Sequence, residues 1–350
     1  MTRWQLDPRC AGVKSSFAPR LVNGPFGDPG LYVALRWLGR ALLFDLGNLE
    51  RTPASALSRV TQVFVSHTHL DHFVGFDRLL RIFLGRDTEL ALYGPYGFTD
   101  NVAGKLRGYT WNLVDNYRFS LLVHEVSGDK IVRTRLAARH AFRPEPVDES
   151  VFDGTLHREE AFSVHAAILD HRIPCLAFAV SEPVRLNVRT DALQRLGIPA
   201  GPWLTNLKRA VRAGLPADEM FLIRWRQGAS QQEVRFPLGE LRRELLMETQ
   251  GSKIGYVVDA VFHAENVRRI VSLVSRADIL FCESLFLDAD KAEAAKRYHL
   301  TARQAGTIAR LAEVGQLRTF HFSPRYSGKG EALVAEAQAA FRGEIPSDEP

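Results

Sequence analysis

The stretch VFVSHTHLDH (63–72) sets three histidines and an aspartate directly against an apolar run. VFVS has the β-branched and aromatic make-up of a buried strand, so the polar residues fall at the strand's C-terminal end, where loops on a rigid support build sites. Imidazole nitrogens are the commonest borderline ligands for Zn²⁺. His67 and His69, two apart in an irregular loop, can converge on one ion, while Asp71 and its neighbour His72 can face a second. A hard carboxylate among imidazoles suits zinc, manganese or iron, so these residues do not select the metal. A lone histidine is more often a hydrogen-bonded core or surface group than a ligand. With 11 histidines in 350 residues, however, a chance H-x-H-x-D-H is expected in fewer than ~1 in 1,000 such chains by composition arithmetic.

The chain around this loop has the composition of an ordinary globular protein: 46% hydrophobic and 24% charged residues, which excludes disorder as the default. No Gly/Ser-rich or Pro-rich linker divides it, so one domain spanning 1–350 with insertions is expected. The start, MTRWQLDPRC, has no apolar stretch of signal-peptide length, and no segment approaches the roughly 20 uninterrupted apolar residues that span a bilayer. A cytoplasmic protein without a membrane partner is the expectation. Cys10, Cys175 and Cys282 are odd in number and form no C-x-x-C pair, which points to buried thiols and away from disulfides or a zinc ribbon. A formal charge of +5 permits a polyanionic partner without establishing one. Basic residues gather in IVRTRLAAR (131–139), NLKRAVRAG (206–214) and GELRRELL (239–246). Each cluster reads equally well as the solvated face of a helix.

Strand-like runs recur along the whole chain: 31–38, 41–47, 63–66, 89–94, 174–180, 254–259, 278–284 and 317–323. Helix-period segments lie between and after them, at 76–85, 266–276, 289–298, 301–315 and 331–342. Strands interspersed with helices imply a layered α/β domain. FRPEPVDESVFDG (142–154) reads as irregular, and the tail EIPSDEP as frayed. Residues 183–215 have an arm-like composition and read as an insertion in the domain. Pro199, Gly201 and Pro202 break regular structure there, and Lys208, Arg209 and Arg212 follow on a short helix. A surface loop and helix is the plain alternative.

The H-x-H-x-D-H loop, with FDLG (44–47) before it, resembles the metallo-β-lactamase superfamily. That resemblance implies a metallo-β-lactamase-like αβ/βα four-layer sandwich with two metals at one edge, and it makes Asp45 a residue that orients a ligating imidazole. An ordinary turn aspartate before Gly47 is the alternative. Thr68 stands where the redox-active diiron branch has Glu, which leaves a hydrolytic centre. Further stretches are similar to the ribonuclease Z branch, the tRNA 3′-processing endonucleases. LDHRIPCLAFAV (169–180) points to His171, with His165 on the preceding strand as a competitor, and VVDAVFHAENV (257–267) marks Asp259 as a bridging carboxylate. YHLTARQAG (298–306) carries His299 at a helix opening where Thr301 can cap and Gln304 can complete the box; a surface histidine near a cap is the alternative. HFSPRY (321–326) supplies His321. DILFCES (278–284) makes Glu283 a partner for His299, although Cys282 replaces the usual histidine. LQRLGIPAGPWLTNLKRAV (193–211) resembles the branch's Gly-Pro arm, a tRNA-binding exosite.

The resemblance covers roughly residues 41 to 330 and departs from the branch in two places. RLVNGPFGDPG (20–30) lacks the basic Pro-Thr-Lys-x-Arg-Asn pattern near the cleavage site, and VVDA replaces Gly-Asp-Thr. The resemblance implies two divalent ions, zinc first among them. His67, His69 and His171 would hold one, Asp71, His72 and His321 the other, with Asp259 bridging. Asp71 would also act as base, and His299, steered by Glu283, as general acid on the leaving 3′-oxygen. Arg325 would contact a substrate phosphate or serve a structural pair. Lys208, Arg209 and Arg212 would bind the backbone of a precursor tRNA. A homodimer is implied as well. Two other readings stand beside this one: a phosphodiesterase or other hydrolase acting on a small molecule such as a cyclic nucleotide, and a metal-stabilised RNA-binding protein without catalysis.

Overall fold

The computed structural model describes residues 16–228 and 230–346. The opening MTRWQLDPRC, with Cys10, and the last four residues of the tail lie outside them. The chain divides into two compact units, one formed by the residues up to Ser181 together with those from Ser252 onward, the other by Glu182–Gly251.

Two sheets make the first unit. The eight-stranded sheet takes its strands in chain order: Phe17–Leu21, Leu31–Leu35, Arg40–Phe44, Val60–Phe64, Glu89–Pro95, Ser120–Ser127, Lys130–Ala137 and Pro144–Val151. The third to sixth run parallel, and antiparallel strands flank them on both sides. The six-stranded sheet runs in the order Leu317–Phe320, Ile279–Glu283, Lys253–Val257, Pro174–Ser181, Ser163–Asp170, Thr155–Arg158, and its first three strands are parallel.

Parallel strands covered on both faces read as near-continuous apolar runs, and the two-residue side-chain period distributes such a run between two cores. Leu42, Phe44, Phe64 and Tyr93 face the other sheet, where they meet Leu176, Phe178, Tyr256, Phe281 and Phe320. Their neighbours Ala41, Leu43, Val63, Val65 and Leu92 point outward onto the helices Phe76–Phe83 and Phe98–Arg107. On the opposite flank Ala177, Val257, Leu280 and Cys282 pack under the helices Ala264–Val274, Ala302–Leu311 and Gly330–Arg342. The result is the helix–sheet–sheet–helix sandwich expected from the sequence. No helix among the described residues is long and apolar enough to cross a membrane.

Two local expectations need correction. FRPEPVDESVFDG is not irregular: Pro144–Val151 is the edge strand of the larger sheet, paired among the described residues only with Lys130–Ala137, through a shifted register. An edge strand tolerates Pro144 and Pro146 because one side of its ladder has no partner to lose. IVRTRLAAR is likewise a strand and not a helix face. Ile131 and Leu136 are buried, while Arg133 reaches Asp148 and Arg135 reaches Glu89.

The second unit has its own core of Leu193, Ile198, Trp203, Leu207, Ile223, Leu241 and Leu245. A ladder of Arg185–Val188 with Leu246–Thr249, the hairpin Met220–Gln227 with Ser230–Pro237, and three helices enclose it. Residues 183–215 form its first part, and the IPAGP break leads into the helix Trp203–Arg212, pinned by Trp203 Nε1 donating to Pro199 O at 3.0 Å.

In the first unit His124 stacks on Tyr93 at 4.2 Å and accepts the Arg133 Nε–H at Nδ1. Burial first, then Arg133 and His157, depress its pKa from 6.5 to about 3. The unfolded chain therefore binds a proton between pH 6.5 and 3 that the folded chain refuses, so stability falls as pH drops through that window. In urea titrations across this range, His124→Phe is expected to flatten the fall relative to wild type. An unchanged slope would contradict the assignment.

Candidate metal centre

Every residue of the H-x-H-x-D-H loop follows the strand Val60–Phe64, and four more of the clustered side chains sit at or just past the C-terminal ends of parallel strands, whereas His171 follows the antiparallel strand Ser163–Asp170 and His299 the helix Lys291–Arg297. Asp45 follows Arg40–Phe44, Asp259 follows Lys253–Val257, Glu283 ends Ile279–Glu283, and His321 follows Leu317–Phe320. Asp45, Asp259 and His321 adopt φ of 58°, 50° and 59°. Non-glycine residues in the left-handed region store strain, which persists only where surrounding structure holds it. His69 occupies the N-cap position of the short helix Leu70–Phe73, whose first turn contains Asp71 and whose buried side includes His72.

One oxygen of Asp259 is the meeting point. Its Oδ2 lies 3.5 Å from His67 Nε2, 3.5 Å from His72 Nε2 and 3.3 Å from His171 Nε2. Asp71 Oδ2 lies 3.4 Å from both His72 Nε2 and His321 Nε2. Three donor groups result, each with its ligand atoms within 4.8 Å of one another: His67, His69, His171 and Asp259; Asp71, His72 and His321; and Asp259, Glu283, His299 and His321. The Nε2 atoms of His67 and His72 and the Oδ1 of Asp259 are buried without a hydrogen-bond partner. Each such orphan costs about 1–3 kcal/mol. Divalent cations placed among them would satisfy all three, so the residues fit the metal pair that the motif calls for.

The far sides of these rings are also held. His72 Nδ1 faces Asp45 Oδ2 at 3.0 Å, and His171 Nδ1 donates to the Tyr298 carbonyl at 2.9 Å. His299 Nδ1 meets Glu283 Oε2 at 2.8 Å, while the other oxygen of Glu283 accepts the Ala260 N–H. Cys282, one residue away, points into the helix-side core, so its replacement of a histidine does not touch the cluster. Thr301 and Gln304 form the expected capping box just beyond His299.

The charges in the cluster oppose one another. Burial lowers His321, but Asp259 and Asp71 more than offset it and raise its pKa to about 9. Burial also works against His72, which Asp259 and Asp45 push well up. Burial and His72 drop His67 to about 2. Asp71 and Asp259 lie well below the usual carboxylate range: burial pulls both upward, His321 and His72 outweigh it at Asp71, and His72, His321 and His299 outweigh it at Asp259.

Other sequence candidates are not members of these donor groups. His165 is hydrogen-bonded to Ser163 and Thr155 on its own sheet. Arg325 sits over the Phe286 ring at 5.1 Å with Asp290 at 3.7 Å. Lys208, Arg209 and Arg212 belong to the second unit.

No protein-family model matches the sequence. A ribonuclease Z from Deinococcus radiodurans is 30% identical over 308 residues, covering 86% of this chain and 88% of that one. The chain belongs to the ribonuclease Z family. It is a metal-dependent hydrolase on the metallo-β-lactamase fold. Ribonuclease Z from Synechocystis is 30% identical over 328 residues, covering 88% of this chain and 83% of its own, and the one from Halalkalibacterium halodurans 27% over 322, covering 89% and 88%. Among solved structures, the metallo-β-lactamase fold protein YhfI from Bacillus subtilis superposes with a TM-score of 0.51 at 16% identity over 92% of each chain. A long-form RNase Z from yeast gives 0.50 at 12%, covering 87% of this chain and 38% of that one. At those identities the structures speak for the fold alone.

Reading the sequence for the ribonuclease Z motifs misses three groups that hold the cluster from behind: the Ser66 hydroxyl, the Tyr256 hydroxyl and the Tyr298 carbonyl. Ser66 is visible as the residue before the first histidine. The other two act from more than 120 residues away, and no local pattern announces them. Because Asp259 is shared by two of the donor groups, Asp259→Ala is expected to lower bound divalent metal from two ions per chain to one or fewer in mass-spectrometric metal analysis. Two ions retained would contradict the shared position.

Proposed function

We propose that this chain is a dinuclear metal-dependent phosphodiesterase that acts as an endoribonuclease, removing 3′ trailers from precursor tRNA. The observation that carries the reading is the convergence of His67, His72 and His171 on one buried oxygen of Asp259, with Asp71 and His321 beside it, in a chain of the ribonuclease Z family. In this assignment His67, His69 and His171 would hold one ion and Asp71, His72 and His321 the other, with Asp259 shared between the two groups. Five imidazoles with two carboxylates match zinc. When bound, the ion pair supplies Lewis acidity at the scissile phosphate and lowers the pKa of a water nucleophile.

The chain's own side chains do the rest. Asp71, kept ionised by His321 and His72 against the upward pull of burial, accepts a hydrogen bond from the attacking water and orients it. His299 is pulled down by burial but raised overall by Glu283 and Asp259. It keeps one proton toward Glu283 and delivers the other to the leaving 3′-oxygen. The products are a tRNA with a free 3′-hydroxyl and a 5′-phosphorylated trailer. Arg325 offers a guanidinium fork to a neighbouring phosphate. Lys208, Arg209 and Arg212 contact the tRNA backbone, with Asp45 holding His72 in register behind the metals. The reading includes a cytoplasmic homodimer. Leu70 and Tyr96, 78% and 70% exposed, are apolar surface that a second copy would cover.

One observation favours a second activity, hydrolysis of small phosphodiesters. The loop RLVNGPFGDPG (20–30) lies beside His321, since Phe322 N–H donates to Pro25 O at 2.8 Å, yet Arg20 is its only cation.

Incubation with a precursor tRNA carrying a 3′ trailer is expected to give a cut at the discriminator base that a chelator abolishes. His299→Ala should slow it by about 10²–10⁴. No cut with any divalent metal would reject the proposal. Replacing Lys208, Arg209 and Arg212 together by alanine should weaken tRNA binding and flatten its salt dependence, while hydrolysis of bis(p-nitrophenyl) phosphate survives. Equal loss of both activities would count against an RNA-binding role for that helix.

A further inference from the structure

Asp45 collects hydrogen bonds from three buried residues. Its Oδ1 accepts the Ser66 N–H at 2.6 Å, and its Oδ2 faces the Ser66 hydroxyl at 2.9 Å, His72 Nδ1 at 3.0 Å and the Tyr256 hydroxyl at 2.9 Å. Asp45, Ser66 and His72 are 0% exposed and Tyr256 is 1% exposed, so water cannot substitute for any of them. A carboxylate only accepts, and each of its partners must therefore donate.

The consequence passes through Ser66 to a second histidine. Once its single proton points at Asp45, the Ser66 Oγ can meet His67 Nδ1, 3.1 Å away, only as an acceptor. Cys175 Sγ, the other neighbour of that nitrogen at 3.7 Å, turns its own proton to the Val258 carbonyl at 3.5 Å. Both neighbours thus call for a proton on His67 Nδ1, which leaves Nε2 with its lone pair toward Asp259. His72 is set the same way by Asp45 directly.

Tyr256 adds a link of a different kind. It lies on the strand Lys253–Val257 of the six-stranded sheet, three residues before Asp259, whereas Asp45 follows a strand of the eight-stranded sheet. The phenol–carboxylate bond therefore ties the Asp259 strand to the histidine loop across the sandwich. The ring itself is seated independently, against Phe44 at 6.0 Å and Phe320 at 5.3 Å. Burial and Asp45 both push the Tyr256 pKa upward, so the hydroxyl keeps its proton to donate.

We infer that Ser66 and Tyr256 are positioning residues of the metal centre, which act through Asp45 to fix the proton-bearing nitrogens of His67 and His72 and the distance from these rings to Asp259. The inference rests on metal occupancy, proposed above, and is independent of the RNA substrate. Partners of this kind typically contribute 10- to 100-fold to metal affinity.

The test is calorimetric titration of the chelator-stripped full chain with Zn²⁺, alongside thermal melts. Wild type is expected to bind two ions. Ser66→Ala and Tyr256→Phe should each bind about 10- to 100-fold more weakly, and Ser66→Thr, which keeps the hydroxyl, should bind like wild type. Tyr256→Phe removes one oxygen from a ring that stays packed, so it decides the matter should Ser66→Ala fail to fold. Unchanged zinc affinity in Tyr256→Phe, even with a lowered Tm, would make the bond merely structural and overturn the inference, as would Ser66→Thr binding as weakly as Ser66→Ala. A wild-type chain that binds no zinc would overturn the metal reading beneath it.

Discussion

A buried carboxylate with three imidazole nitrogens within 3.5 Å of one oxygen is the constraint on which the rest of this molecule depends. Asp259 is 3% exposed and His67 and His72 are 0% exposed. Removing such groups from water is costly unless positive charge is supplied beside the carboxylates. The opposing pKa shifts express that demand: His72 and His321 are pushed up while Asp71 and Asp259 are pushed down. Imidazolium can supply the charge in part. A pair of divalent cations would supply it fully and would also satisfy the orphaned nitrogens.

The sandwich exists around this cluster in a direct mechanical sense. Parallel strands of both sheets end at the same edge, and the chain turns there through Asp45, Asp259 and His321 in left-handed backbone. A dense core, with Phe44, Phe64 and Tyr93 stacked at 5.0 and 4.7 Å, fixes where those ends lie. Packing of this kind holds side chains in place with little slack, which a site needing sub-ångström agreement among groups from distant segments requires. The strain at the turns is thus maintained by burial in the core beneath them.

Much of this was legible in the sequence because the fold's period and the site's chemistry are both local signals. VFVSHTHLDH announces a strand and its histidine-rich loop together, and YHLTARQAG shows the capping box beside His299. His171, at a strand end, could be preferred over His165, on the strand before it, only by analogy. The structure separates them by pairing His165 with Ser163 and Thr155. What the sequence hid was of two sorts. The edge strand Pro144–Val151 carries prolines and exposed charges, so its pattern reads as a loop unless its lack of a second neighbour is known. The bonds from Tyr256 to Asp45 and from His171 to the Tyr298 carbonyl join residues 211 and 127 positions apart. Such pairings are properties of the folded topology, and one sequence does not contain them in any readable period. The second unit was underestimated for the same reason: the Gly-Pro break was visible, but the hairpin and helix that close its core with Trp203 and Leu207 were not.

The central claim is that these separated strand ends enclose two cations that share Asp259. Anomalous diffraction at the zinc edge from crystals of the zinc-loaded chain tests it most directly. The account predicts two peaks about 3.5–4 Å apart, one among His67, His69 and His171, the other among Asp71, His72 and His321, with Asp259 between them. A single peak, or peaks remote from Asp259, would contradict it.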